Sequence, residues 1–332
     1  VQTILGASGQ IGTELAHALH DEFTTDLRLV SRHPEALHET DETRPADLLD
    51  AGQTAHAVEG SEIVYFTAGL PPDSGLWEQQ LPTMMRNVID ACATHGARLV
   101  FFDNTYMYPK NAEPQTEQTT FEPVGRKAVV RARIAEMLLE AMDQKTVEAV
   151  ICRAPEFYGP GKTQSFTNSL VFERIAAGKT PRVPLADDTR RSLIWTPDAS
   201  RAMARIGNTP SAYGQTWHLP VDPGYPTYKA LITDLAAEAW GRELRYAIMP
   251  KWQFTLGSLA SKPMREMREL LPRYAVDNLF ISTTFTEAFP DFHVTTYREG
   301  LGILAAESSA EGSYTDTAST DTASPDREET TR

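Results

Sequence analysis

Residues 2–19 read QTILGASGQIGTELAHAL, and this stretch decides the fold. A short apolar run ends at Leu5, Gly6, Gly9 and Gly12 follow in GxxGxxG spacing, and an amphipathic helical pattern begins at once. Each glycine answers a separate steric demand. Gly6 permits the tight turn out of the strand, Gly9 lets backbone N–H groups approach a pyrophosphate, and Gly12 lets the helix lie close on the sheet with its N-terminus facing the anion. Ser8, Gln10 and Ile11 belong to the same loop and are counted with it as cofactor-side residues. A glycine-rich turn alone is weak evidence. Its position between strand and helix, with a second strand ending at Val30 about 20 residues on, makes it a dinucleotide-binding signature.

That second strand ends in Ser31-Arg32, where an NAD enzyme carries a carboxylate for the ribose 2′-hydroxyl. A guanidinium there favours a 2′-phosphate, so NADP(H) is the expected cofactor and NAD(H) the alternative; read otherwise, Arg32 is a solvated surface cation. Asp47-Leu48 follows a third strand region and suits an adenine amino group, and Thr67-Ala68-Gly69 ends a fourth where small residues let the dinucleotide pass.

Apolar runs and helical stretches alternate up to residue 160, the pattern of βαβ units. Strands are expected around 4–5, 27–30, 63–67, 99–102 and 147–152, and helices over 11–20, 81–95 and 126–142, with Gly96 as a left-handed cap. The expected class is α/β: a Rossmann-type doubly wound parallel sheet over 1–160, completed by segments around 190–220. A smaller mixed α/β substrate region follows over 161–305, with helices near 165–177, 198–206, 228–240 and 252–259. Residues 306–332 are rich in Ser, Thr and Asp, and are expected to be a disordered acidic tail.

Composition narrows the function. With 45 acidic against 31 basic residues the net charge is −14, which repels nucleic-acid phosphates. No apolar run has membrane-spanning length, so neither nucleic acid nor membrane is an expected partner. Cys92 and Cys152 each sit in an apolar stretch and read as buried thiols of a reducing cytoplasm. The histidines show no metal-ligand spacing, and no metal is expected. The record opens inside a strand without an initiator methionine, so residues preceding Val1 are expected to be missing from it.

Over roughly residues 1–305 the chain resembles the extended short-chain dehydrogenase/reductase superfamily, in its NAD-dependent epimerase/dehydratase group. GASGQIG stands for that family's phosphate loop, ICRAPEFYGPG (151–161) for its strand and YGPG segment, and RRSLIWTPDASRA (190–202) for its Arg-to-Asp element before a helix. TWHLP (216–220) is similar to its later strand, and VDNLF (276–280) to a helix start in the substrate region. The resemblance implies a Ser or Thr on the fifth-strand loop, a Tyr acid/base and a Lys four residues beyond it that holds the nicotinamide ribose.

FFDNTYMYP (101–109) aligns with that loop and puts Asn104 at the usual Ser position, with Thr105 beside it. Lys127 falls where the Lys belongs, yet the position four residues before it is Pro123 and the next is Val124. Neither transfers a proton. Candidate catalytic residues are therefore Asn104, Thr105, Tyr106 and Lys127, with Tyr108 as an alternative phenol; either ring read as packing is the competing view. Pro155 is expected at the cofactor. Glu156, Tyr158 and Arg191 are the substrate-side candidates, with Phe157, Phe166 and Trp195 as further pocket aromatics. Glu156 repels a substrate diphosphate where Arg191 attracts one, which together suit a small, less charged substrate; alternatively Arg191 pairs with Asp187 or Asp188. Two functions follow: an NAD(P)-dependent oxidoreductase or epimerase/dehydratase-like enzyme, or a noncatalytic NADP(H)-binding redox-sensing regulator. The helices at 81–95 and 126–142 correspond to those that pair in family dimers, so a homodimer is an expectation.

Overall fold

The structure, a computed structural model, describes residues 1–319 apart from Lys162 and Gln164. Six strands of the main sheet lie before residue 155: β1 (Gln2–Leu5), β2 (Leu27–Ser31), β3 (Glu42–Pro45), β4 (Ile63–Phe66), β5 (Arg98–Asn104) and β6 (Ala149–Ala154). Four helices cross between them: α1 (Gln10–Glu22), α2 (Ala51–Val58), α3 (Ser74–His95) and α4 (Arg126–Asp143). With a later strand, Thr216–His218, they build one seven-stranded sheet in the order Thr216–His218, β6, β5, β4, β1, β2, β3, parallel at every pairing. The strand order reverses beside β1, which pairs β2 on one side and β4 on the other, with Ile4 opposite both Leu29 and Tyr65.

The apolar runs are unbroken because both faces of the sheet are covered. Ile4 packs under α1 and the helix Thr196–Gly207, with Leu15, Leu19, Met203 and Ile206. Leu5 points to the opposite face, with Phe66 of β4 and against Met85 and Val88 of α3 and Leu138 of α4.

Helix α3 begins at Ser74, a full two turns before the expected start at 81. Asp73 caps it, its carboxylate accepting from the amides of Gly75 (2.9 Å) and Leu76 (3.2 Å). The first turns carry no clean apolar period, and Pro82 inside the helix made them read as a break. The far end stops at Gly96 with φ 66°, the left-handed cap that the sequence asks for.

The second region is built on two short parallel pairs, Glu156–Tyr158 with Leu193–Trp195 and Arg182–Pro184 with Ala247–Met249. Its core gathers Tyr158, Phe172, Trp195, Tyr228, Tyr297 and Leu301. Residues 276–280, expected to open a helix, instead run extended: Asn278 bridges Arg191, Phe280 bridges Gln115, and the helix starts at Thr283. A last helix, Tyr297–Ser319, carries past position 306, where the acidic tail was expected to begin; Trp240 Nε1 donates to Ser308 Oγ along it at 3.2 Å. Residues 320–332 of that expected tail lie outside the described residues. Among the described residues no helix is long and apolar enough to cross a membrane, and no group of three or more His, Cys, Asp or Glu side chains is arranged to hold a metal. Cys92 and Cys152 are free and buried, and burial pushes the Cys92 thiol up to about 12.

Candidate functional site

Two cavities open along the carboxyl ends of the strands. The first, about 1000 Å³, lies over the strand-order reversal and is lined by Gly6, Ser8, Gly9, Ser31, Arg32, Asp47, Leu48, Ala68 and Gly69 among others. Its floor admits no side chain at two points. Gly6 has φ 103°, and a Cβ there would stand 2.5 Å from the Ala68 backbone; one on Gly12 would stand 2.4 Å from the Gly6 carbonyl oxygen. The loop thus folds down flat and leaves the first amides of α1, which has no side-chain cap, facing the cleft.

Around this cleft Ser8 Oγ donates to Ser31 Oγ at 2.7 Å, and Ser31 Oγ accepts the His33 amide at 3.2 Å. Asp47 turns its carboxylate onto the Leu49 amide (3.0 Å). The Arg32 guanidinium is exposed at the cleft and has no hydrogen-bond or ion-pair partner among the described residues. Three of the expected cofactor-side residues, Gln10 and Ile11 of the loop and Thr67 of the fourth-strand end, are not among the residues that line the cleft. Gln10 Nε2 donates to the Pro160 carbonyl (2.6 Å), Ile11 accepts from Ser200 Oγ through its carbonyl, and Thr67 Oγ1 donates back to Leu5 (3.2 Å). Gln80 and Met84 of α3 also line the cleft, unforeseen, because helical spacing alone does not tell which helix faces the cleft.

The second cavity, about 530 Å³ counting the open space at its mouth, is lined by Thr105, Tyr106, Pro155, Glu156, Phe157, Ser165, Phe166, Arg191, Leu270, Arg273, Tyr274 and Asn278. Glu156 and Arg191, read from sequence as opposed in purpose, face each other at 3.6 Å. Glu156 also accepts from the Thr167 amide (2.8 Å), Ser165 Oγ (3.2 Å) and Tyr274 OH (3.1 Å), while Arg191 donates to the Arg273 carbonyl (2.6 Å) and lies over the Tyr274 ring. Asp187 takes no part; it accepts from Tyr246. Arg273 donates to Thr105 Oγ1 (2.7 Å) and to the Thr105 carbonyl, so among the described residues its acceptors are neutral. Burial, with a smaller push from Arg191, brings its guanidinium down to about 10. Burial also pushes the Tyr106 phenol up to about 12, so it is protonated at neutral pH.

The remaining candidates lie elsewhere. Asn104 Oδ1 closes a tight turn on the Tyr106 amide (3.0 Å). Tyr108 is fully buried and locked: it accepts from Arg153 (2.7 Å), and its own hydrogen is shared between His218 Nε2 (2.8 Å) and the Thr116 carbonyl (3.1 Å). As an alternative acid it is displaced by this packing. Tyr158 is 1% exposed among Trp195, Phe172 and Tyr297, and with Trp195 it belongs to the core rather than to the cavity wall. Lys127, also 1% exposed, lines neither cavity; its ammonium is bound to the Glu266 carboxylate and donates to the Glu266 carbonyl at 3.1 Å. Burial alone would raise the Glu266 carboxyl, but bonds from Lys127 and Ser74 outweigh it and hold the group below the usual range. Neither Arg273 nor Glu266 stands in a motif that the sequence reading singles out, and each meets its partner across more than a hundred residues of chain.

A doubly wound parallel sheet with a glycine-floored cleft at its switch point defines a Rossmann-type protein. The chain matches the model of the NAD dependent epimerase/dehydratase family over residues 3–219, and belongs to that family. Similar solved structures include UDP-glucuronic acid 4-epimerase from Bacillus cereus in complex with NAD (11% identity, covering 94% of this chain and 99% of that one, TM-score 0.74). Another is the DesIV double mutant, a dTDP-glucose 4,6-dehydratase from Streptomyces venezuelae with NAD and DAU bound (14%, 95% and 98%, 0.74). A third is WbmH from Bordetella bronchiseptica in complex with NAD+ (17%, 92% and 96%, 0.71). At these identities the likeness is one of fold. No curated protein sequence matches the chain.

Proposed function

We propose that the chain binds a nicotinamide dinucleotide in the glycine cleft, NADP(H) in preference to NAD(H). We further propose that it acts as an NAD(P)-dependent oxidoreductase or epimerase/dehydratase-like enzyme on a small carbonyl or hydroxyl substrate seated in the second cavity. The carrying observation is the unpartnered Arg32 at the end of β2, on the rim of a cleft whose floor only glycine fits. Gly6, Ser8 and Gly9 would take the pyrophosphate, Arg32 with Ser31 the 2′-phosphate, and Asp47 and Leu48 the adenine side. When bound, the nicotinamide supplies hydride acceptance and donation.

The chain's own part is orientation and proton handling. Thr105 accepts from Arg273, which leaves its hydroxyl hydrogen to be given to a substrate oxygen. Tyr106 keeps its proton at neutral pH and stands on the same cavity wall, so it is the acid in place of the missing family Tyr. Glu156 offsets Arg191, and the positive charge of Arg273 is left over for one anionic or strongly polar oxygen. Two of the neighbours named above, the UDP-glucuronic acid 4-epimerase and the dTDP-glucose 4,6-dehydratase, carry nucleotide-sugar names; a diphosphate here would meet Glu156, which supports a smaller substrate. Exposed Val129 and Leu139 on α4 support a homodimer through α3 and α4, and two buried thiols support a reducing cytoplasm. The functional parts are taken as 1–160 for cofactor and 161–305 for substrate.

One observation favours a second reading, the noncatalytic NADP(H)-sensing regulator: Lys127 is already engaged by Glu266. Fluorescence titration with NADPH and NADH tests the cofactor. Arg32→Ala should weaken NADPH by about 1 to 3 kcal/mol and NADH far less. Equal weakening of both overturns the assignment. A survey of NADPH oxidation with small aldehydes and ketones, beside nucleotide sugars, then separates enzyme from regulator.

A further inference from the structure

Residues 262–273 run as a strap from the second region across the carboxyl ends of β4 and β5. Lys262 pairs with Asp73 in front of α3. Glu266 accepts from Ser74 Oγ (2.6 Å) and the Ser74 amide (3.2 Å) and binds Lys127. Glu269 accepts from the Ala128 amide at the start of α4 (3.1 Å), and its carbonyl takes Lys110 Nζ (2.8 Å). Arg273 closes the series on Thr105. The strap's apolar anchors sit on its own side: Met267 and Leu271 pack with Met249 and Phe254, and Leu270 with the second core. Its bonds to the Rossmann side named here are polar or ionic, so once the strap lifts, water or an incoming hydroxyl can take their places.

Lys127 is the residue on which this strap turns. It is buried and cannot serve a ligand while Glu266 covers it, and Ser74, which Glu266 also binds, opens helix α3, the helix that brings Gln80 and Met84 to the cofactor cleft. We propose that residues 262–273 form a gate: Glu266 holds Lys127 in the closed arrangement, and the strap must let go before the nicotinamide ribose can take the ammonium. The same movement would carry Leu270, Arg273 and Tyr274, which line the second cavity, so cofactor entry and substrate-site shape are coupled. This rests on the cofactor reading above.

The test fixes the gate shut without touching Lys127 or Glu266. Asp73→Cys with Lys262→Cys replaces an ion pair whose side chains are both open to reagent, whereas Cys92 and Cys152 are buried and will not compete. A short bis(methanethiosulfonate) linker joins the pair and dithiothreitol releases it. Thermal melting of the released form checks that loss of the Asp73 cap leaves the fold intact. The linked protein should bind NADPH at least about tenfold more weakly than the released one. Equal binding in the two forms overturns the gate alone. Failure of the released and unsubstituted proteins to bind NADPH or NADH overturns the cofactor reading, and the gate with it. In an independent variant, Glu266→Gln should raise NADPH affinity several-fold and reduce its dependence on salt; weaker binding would show that the carboxylate serves the cofactor and overturn the gate.

Discussion

Asp103→Asn is the substitution with the largest expected effect on the fold. Asp103 has no exposed surface and is the shared counterion of two guanidiniums, Arg153 at 3.0 Å and Arg131. Both arginines are largely withdrawn from water; Arg153 is 1% exposed, and Arg153 Nη2 and Arg131 Nε have no hydrogen-bond partner. The amide keeps the shape of the carboxylate and removes the only negative charge bonded to the pair among the described residues. Breaking a buried pair by removing one partner costs about 3 to 5 kcal/mol, a large share of a domain's roughly 5 to 15 kcal/mol of stability. The damage should reach the site as well, since Asp103 immediately precedes Asn104, Thr105 and Tyr106 on the loop out of β5. Urea denaturation followed by tryptophan fluorescence measures the loss as a lower midpoint at unchanged slope. Adding Arg153→Met should recover part of it, because one stranded cation is then gone. A loss below about 1 kcal/mol for Asp103→Asn would refute the reasoning, since it would mean that water or another group already neutralises the arginines.

His218 supplies a pH prediction. Its ring stacks on Phe280 at 3.8 Å, Nδ1 donates to the Ile281 carbonyl and Nε2 accepts from Tyr108, and burial pulls it down to about 3. The folded chain keeps it neutral while the unfolded chain protonates it below about 6.5, so its contribution is complete above 6.5 and is lost toward 3, by up to about 1.4 kcal/mol per pH unit. His218→Gln should flatten that part of the stability profile, and an unchanged slope would count against it. Gly12→Val should cost more than about 2 kcal/mol and abolish dinucleotide binding, since its Cβ would lie 2.4 Å from the Gly6 carbonyl oxygen. Gly302→Ala, in a helix with nothing within 4 Å, should leave melting unchanged or raise it.

The sequence by itself determined the sheet and its cleft. Glycine spacing, the apolar central strands and the amphipathic helix that follows β1 are local properties, as are the positive φ at Gly6 and the demand at Gly12, where a Cβ would meet the Gly6 carbonyl of the same loop; the close approach of Gly6 to Ala68 is tertiary. The start of α3 was missed because a single cap, Asp73, outweighs the absence of apolar period in its first turns. The tertiary structure alone decided which charges meet. Arg191 answers Glu156 rather than Asp187, Arg273 reaches Thr105, Glu266 covers Lys127, and Tyr108 and Tyr158 disappear into networks and core. Pairings between side chains 35 to 168 positions apart are set by how the second region docks on the ends of the strands. No local pattern records that docking, because a charged side chain is compatible with solvent until a partner is folded onto it.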